Sequence, residues 1–464
     1  MSTTGIFSQT LNFNLHGDSE KGITAIDGVA YAHFYEASSK LSMAQEQSQS
    51  LTSNPPATIK TLEIDGVSVI EYQGMAFPTG HVVPLGQPED IGNYTPSEAF
   101  GYAMRNAVAY DDEAFFQELL NGYLYLCNQT TLYREQMGLS GDMIGFGLIG
   151  WSPNIAGIPA EKGPYDGLDT SFVSSASDAD EDIIGAMILA YQKWPDLVAS
   201  DPLSAGQGTV SSISLNQLID QAIDSFVRND LGDYQVTLNG ETHSYYAMSL
   251  DNWQHDPVYP DYFDPLEFTE MIQWVGAESP NGQALIRAAQ GTMQLVIDVQ
   301  KANGGWMSDT PFYLGGPNSF GYDAVRMLMR FGEYLLYTEK TGNDLLGIKD
   351  QVAASLSTLV ERIFSHDGQY LSWGDWDDGT LTFNPSGLGY GQFTGPLLVA
   401  LVGLEQYGAL PDDVSQDDIE KVAHYFQNDL THYSVDSMGD YQQNYFAIQL
   451  ALLSEGILKE YAQN

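Results

Sequence analysis

The chain has 464 residues, 43% of them hydrophobic and 12% aromatic, enough apolar material for a large core. Sixty-one acidic residues against 17 basic ones leave a net charge of −44. Such a field repels nucleic acid and anionic membrane surfaces, and both are excluded as partners. Cys127 is the sole cysteine, so no intramolecular disulfide can form, and Cys/His zinc spacing is absent.

Apolar residues at 3.6-residue spacing predict helices over about 28–48, 97–110, 112–128, 180–195, 214–230, 265–276, 281–302, 320–340, 349–365, 390–408, 416–430 and 440–460. Ser97, Ser214 and the Asp264-Pro265 pair are the expected starts of three of them. Two short hairpins are expected. One turns at Asp65-Gly66, between Lys60–Glu63 and Ser68–Tyr72, and the other at Asn239-Gly240, between Gln235–Leu238 and Thr242–Tyr246. Residues 1–20 read as a polar N-terminal segment. Residues 21–464 read as one all-α domain, an (α/α)6 barrel decorated by small β-hairpins. No short repeat is evident, which argues against a solenoid. The longest apolar run, near Pro396–Leu404, is too short to span a bilayer. The first residues, MSTTGIFSQT, lack the pattern of a signal peptide. The dispersed acids predict a solvated surface and tolerance of salt.

Three segments stand out as candidate chemistry. Glu98 opens a helix in SEAFGYAM, Asp178 precedes one in ASDADEDI, and Asp323 lies three residues before Arg326 in YDAVR. Each has a plain structural reading. Acids in a first turn favour the helix dipole, and an i,i+3 Asp–Arg pair on an open surface is worth little. An EF-hand at Asp178, Asp180 and Asp182 fails, because Ile183 and Leu189 stand where Gly and Glu are needed.

Taken together, in this order and each at a helix start, the segments resemble those of glycoside hydrolase family 8, over roughly residues 20–460. The stretch Asp261-Tyr262-Phe263-Asp264-Pro265 is similar to a further segment of that family. The sequence departs from the family pattern at Ala99, Ala103, Ile184 and Met327-Leu328, without removing a carboxylate. The resemblance implies an (α/α)6 barrel and an inverting hydrolase of β-1,4-linked polysaccharide. Glu98 would be its general acid and Asp323 its general base. Arg326 would hold the base ionised, and Asp178 would bind the scissile sugar. Cellulose or mixed-linkage β-glucan, cut internally, is the expected substrate, with xylan second. Chitosan is disfavoured because Asn303–Gly321 offers no Glu as base. A barrel that only binds polysaccharide and a polysaccharide lyase are the readings of other classes. Trp151, Trp253, Tyr262, Tyr322 and Tyr445 are the expected sugar platforms, with Trp373 and Trp376 as outer candidates. Trp194 and Trp274 are expected in the core. No metal or cofactor is implied, and a secreted monomer is expected.

Overall fold

A computed structural model describes strand residues 59–64, 67–72, 75–78 and 83–84, then 96–136, 146–151, 175–202, 204, 209–249, 259–308, 313, 320–321, 323–365, 375–377, 382–384, 391–432 and 445–462. The helix expected at 28–48 and the polar segment 1–20 lie outside the described residues.

Among the described residues eleven long helices form where the spacing predicts them, one (Glu113–Gln136) running eight residues past its expected end and one (Val325–Thr341) starting five residues late. They are α1 (Ser97–Ala109), α2 (Glu113–Gln136), α3 (Ser177–Lys193), α4 (Leu215–Asn229), α5 (Pro265–Val275), α6 (Pro280–Ala302), α7 (Val325–Thr341), α8 (Lys349–Phe364), α9 (Gly391–Tyr407), α10 (Gln416–His432) and α11 (Tyr445–Ala462). The odd-numbered helices touch in a closed circuit: α1 packs on α3, α3 on α5, α5 on α7, α7 on α9, α9 on α11, and α11 returns to α1. Among the even-numbered ones, α2, α4, α6, α8 and α10 each pack on the inner helix before them. This is the (α/α)6 barrel.

The two layers differ in sequence for a physical reason. Outer α4 buries Leu215, Leu218, Ile219, Ala222, Ile223 and Phe226, one stripe at three- and four-residue spacing. Inner α7 is buried on every side from Val325 to Leu336. Wherever inner helices approach closely, a side chain would not fit. A β-carbon on Gly332 of α7 would come 2.7 Å from the Val399 carbonyl oxygen of α9.

Helix ends also follow chemistry. Asp264 caps α5 by accepting from the Leu266 and Glu267 N–H groups, with Pro265 in the first turn. At α1 the expected cap moves by one residue: Pro96 holds the extended N-cap position and Ser97 is already helical. The Ser97 N–H, left over by the helix, donates instead to the Trp151 carbonyl at 2.8 Å.

The two expected hairpins form. Strand β1 (Ile59–Ile64) pairs with β2 (Val67–Tyr72), and β7 (Leu231–Leu238) with β8 (Glu241–Met248). Asn239 and Gly240 turn the second with φ of 51° and 87°, as a two-residue primed turn requires. Strands β3 (Met75–Pro78) and β4 (Val83–Pro84) extend the first hairpin to a four-stranded sheet. Pairs β5 (Val198–Ser200) with β6 (Ser212–Ser214), and β9 (Asp375–Asp377) with β10 (Thr382–Asn384), are additional. Their strands are too short to carry a readable alternation.

No helix among the described residues is long and apolar enough to cross a membrane. Cys127 is buried, as expected for a structural thiol. Trp194 and Trp274 lie only partly buried at the margin of the core. Trp274 spends its indole N–H on Asp220 at 2.7 Å, outside the apolar face expected of it.

Candidate active site

Inner helices α1, α3 and α7 begin at one end of the barrel, and their first turns bring Glu98, Asp178 and Arg326 together. Asp323 sits in the turn just before α7. Arg326 is the hub. Its guanidinium is wholly buried, yet Nη2 donates to Asp323 Oδ1 at 2.7 Å, Nη1 donates to Asp178 Oδ2, and Nη1 lies 3.8 Å from Glu98 Oε1. Its carbon lies 4.9 Å from the centre of the Tyr262 ring, a cation–π contact. The plain expectation of an open surface pair between Asp323 and Arg326 is therefore overturned. Barrel closure buries the arginine and gives it two further carboxylates from other helices.

The three acids differ in access. Asp178 is fully buried, whereas the side chains of Glu98 and Asp323 keep 17% and 32% of their exposure. Glu98 Oε2 and Asp178 Oδ1 have no hydrogen-bond partner among the described residues. Burial pushes the Glu98 carboxyl up to about 8; the charge of Asp178 adds to this and that of Arg326 opposes it. At neutral pH Glu98 thus holds a proton on a carboxyl with an oxygen to spare, the state of a general acid. Asp323 lies on the arginine and is partly open to solvent.

One helical turn deeper the motif repeats. Asp182 follows Asp178 by four residues on α3, and Arg330 follows Arg326 by four on α7. Arg330 Nη2 donates to Asp182 Oδ2 at 2.7 Å. Arg330 Nε lies 3.7 Å from Asp264 Oδ2. Arg105 of α1 then pairs with Glu267 of α5 at 2.5 Å and Glu333 of α7 at 2.6 Å. The oxygens of Asp182, Asp264 and Glu267 lie within 4.8 Å of one another, but Arg330 and Arg105 already stand among them as counter-ions. Burial raises Asp264 and Glu267 above the usual carboxylate range and takes Glu333 up to about 8, so part of the excess negative charge is removed by protons. Gly185 of α3 makes room here: a β-carbon would fall 1.2 Å from Glu267 Oε2. The sequence motif ASDADEDI, which also reads as a solvated acidic cap, is buried from Ala176 to Ile183.

The platform residues are dispersed. Trp151 is 45% exposed, with its carbonyl tied to Ser97 beside Glu98. Tyr262 reaches the site but is 8% exposed, stacked against Arg326 and edge-on to Tyr259 at 5.2 Å between ring centres. It supports the arginine and leaves little ring for a sugar. Trp253, Tyr322 and Trp373 lie outside the described residues, as do the side chains of Tyr445, which opens α11, and Trp376 in β9. Arg330, Arg105 and Glu333 were not singled out from the sequence. The usable signal was the matched four-residue spacing, Asp178/Asp182 facing Arg326/Arg330.

No family model matches the chain. A curated relative, Endoglucanase A of Acetivibrio thermocellus, is 27% identical over 288 residues, covering 60% of this chain and 47% of its own length. The chain thus matches about half of that relative. A glycoside hydrolase family 8 xylanase from Teredinibacter turnerae, solved as a catalytic mutant with xylohexaose, is similar at a TM-score of 0.54 and 13% identity, covering 98% of this chain and 96% of that one. The chain has the fold of that family. A β-1,3-1,4-glucanase from Paenibacillus sp. X4 aligns at a TM-score of 0.51 and 16% identity over 92% of each chain.

Proposed function

We propose that this protein is an inverting glycoside hydrolase that cuts internal β-1,4 bonds of a neutral polysaccharide, cellulose or mixed-linkage β-glucan first. The observation that carries the reading is the single buried Arg326 shared by Glu98, Asp178 and Asp323. An inverting glycosidase needs one protonated and one ionised carboxyl, set about 6.5–9.5 Å apart with a water between the base and the sugar. Glu98, raised to about 8, supplies the acid. Asp323, held on the other arm of the guanidinium, takes the proton from water as that water attacks the anomeric carbon. Glu98 gives its proton to the departing glycosidic oxygen. Asp178, with Oδ1 free among the described residues, accepts from a sugar hydroxyl and keeps Glu98 protonated by its charge.

Family membership, secretion and a monomeric state belong to the same proposal. The likeness to Endoglucanase A and to the glucanase fold favours glucan. Xylan is the second reading, favoured by the xylanase whose fold aligns along nearly the whole chain.

The test is release of reducing ends from carboxymethylcellulose, barley β-glucan, xylan and chitosan in molar salt, beside the Asp323→Asn variant. Glucan cleavage that disappears in the variant is the expected outcome. Cleavage of xylan alone would keep the chemistry and move the substrate. Turnover in the variant equal to that of the parent would remove Asp323 as the base, and no cleavage of any polymer would leave a barrel that only binds.

A further inference from the structure

Resting on the hydrolase reading above, we infer that Arg330 is a positioning residue for the site, although its side chain is fully buried. Its guanidinium is 0% exposed and engages two separate parts of the chain, around Asp178–Asp182 and Asp261–Asp264. Nη2 donates to Asp182 at 2.7 Å and points to the Asp178 carbonyl at 3.4 Å. Nη1 donates to the Tyr262 carbonyl and lies 3.4 Å from the Asp261 carbonyl. Nε faces Asp264 Oδ2 at 3.7 Å.

These partners are the backbones of two of the groups that hold Arg326. Asp178 grips Arg326 through its carboxylate while its own carbonyl faces Arg330. Tyr262 covers the Arg326 guanidinium with its ring while its carbonyl accepts from Arg330. The first turn of α3 and the turn ahead of α5 are therefore clamped to α7 one turn below the chemistry. Through them Arg330 fixes where Arg326 holds Asp323 and how close Asp178 stands to Glu98. A planar guanidinium with five fixed donors can bridge a carboxylate and carbonyls from two elements; an ammonium is a point charge and cannot.

Two variants separate positioning from simple charge balance. Arg330→Lys keeps the charge beside Asp182. Arg330→Met combined with Asp182→Leu removes the buried pair together, an exchange that cores often accept without loss of stability. Both are expected to lower kcat about 100-fold, the order of effect of a displacement near 1 Å, with KM changed less than about threefold. Crystal structures of the variants should show the Asp178 carboxylate and the Tyr262 ring shifted from Arg326. Wild-type kcat with unchanged Arg326–Asp178 and Arg326–Tyr262 contacts, in either variant, overturns the inference. Full rescue by lysine also overturns it, because only charge would then matter. If the double variant does not fold, the lysine variant decides alone. If the parent cleaves no polysaccharide, the hydrolase reading fails, and the contacts in the variant crystals still decide the role of Arg330.

Discussion

Two groups of carboxylates are stitched by arginines at successive depths of the barrel, and the barrel treats them differently. Around Arg326, Glu98 and Asp323 keep 17% and 32% of their side-chain exposure. Around Arg330 and Arg105, the side chains of Asp182, Asp264, Glu267 and Glu333 are at most 3% exposed. Both groups contain acids shifted upward by burial, and both are stitched by arginine. The upper group alone combines a raised carboxyl with partial side-chain exposure. A raised carboxyl is thus a candidate catalyst only where solvent can reach it; deeper down it is a consequence of dense charge in a dry interior.

The sharpest way to break that contrast is to remove one ionisable side chain from each level. Glu98→Gln is expected to cut kcat by about 10³–10⁴-fold, at the upper end for loss of a general acid, while calorimetry still detects oligosaccharide binding. Retained turnover would place the acid elsewhere. In the lower group the matching change is Arg105→Met, which strands Glu267 and Glu333 without their counter-ion. A loss of about 3–5 kcal/mol in unfolding free energy is expected, read from urea denaturation. No loss would mean that both acids are already neutral.

That possibility has its own test in pH. In an unfolded chain glutamate ionises near 4.3, whereas in the fold Glu333 and Glu270 are pushed by burial to about 8. Between those values the native state binds more protons than the unfolded one. Stability therefore falls as pH rises from about 4 to 8 and is lowest above that window. The thermal midpoint should drop by several degrees between pH 5 and pH 9, and a flat profile would show that guanidinium pairing meets the charge in full. In activity, kcat/KM should fall above about pH 8 as Glu98 deprotonates. Asp178→Asn, by removing a charge that raises Glu98, should move this limb to lower pH.

Much of the barrel was legible because an outer helix such as α4 leaves a stripe at 3.6-residue spacing and an inner one such as α7 a long segment rich in apolar residues. The ends of α5 and α6 fall within one residue of expectation, since Pro265, Pro280 and the caps Asp264 and Ser279 mark them chemically. What no local pattern contained was the burial of charge. ASDADEDI has the composition of a solvated cap. It becomes interior only when α3 packs between α1 and α5 and the arginines of α7 reach it across the closed ring. Arg326 read as half of a weak i,i+3 pair for the same reason: its second carboxylate is 148 positions away in the chain. The acids of the site were legible through family likeness, while the arginines beneath them became visible only in three dimensions.

The smallest effect is expected where the upper group meets solvent. Trp151 is among the few large apolar side chains that stand exposed, at 45%. It is also fixed: its carbonyl accepts the Ser97 N–H at 2.8 Å, one residue before Glu98. Its indole is nearly half exposed, and its backbone is anchored beside the acid proposed as proton donor. If a sugar ring lies on it, Trp151→Ala loses an aromatic contact worth about 0.5–1.5 kcal/mol. That corresponds to a rise in KM of about 2- to 13-fold with kcat unchanged, because the contact is made equally in ground and transition states. A change in kcat instead would mean that the Trp151 backbone, through Ser97, helps aim Glu98. An unchanged KM on both glucan and xylan would mean that substrate passes the acid on another side.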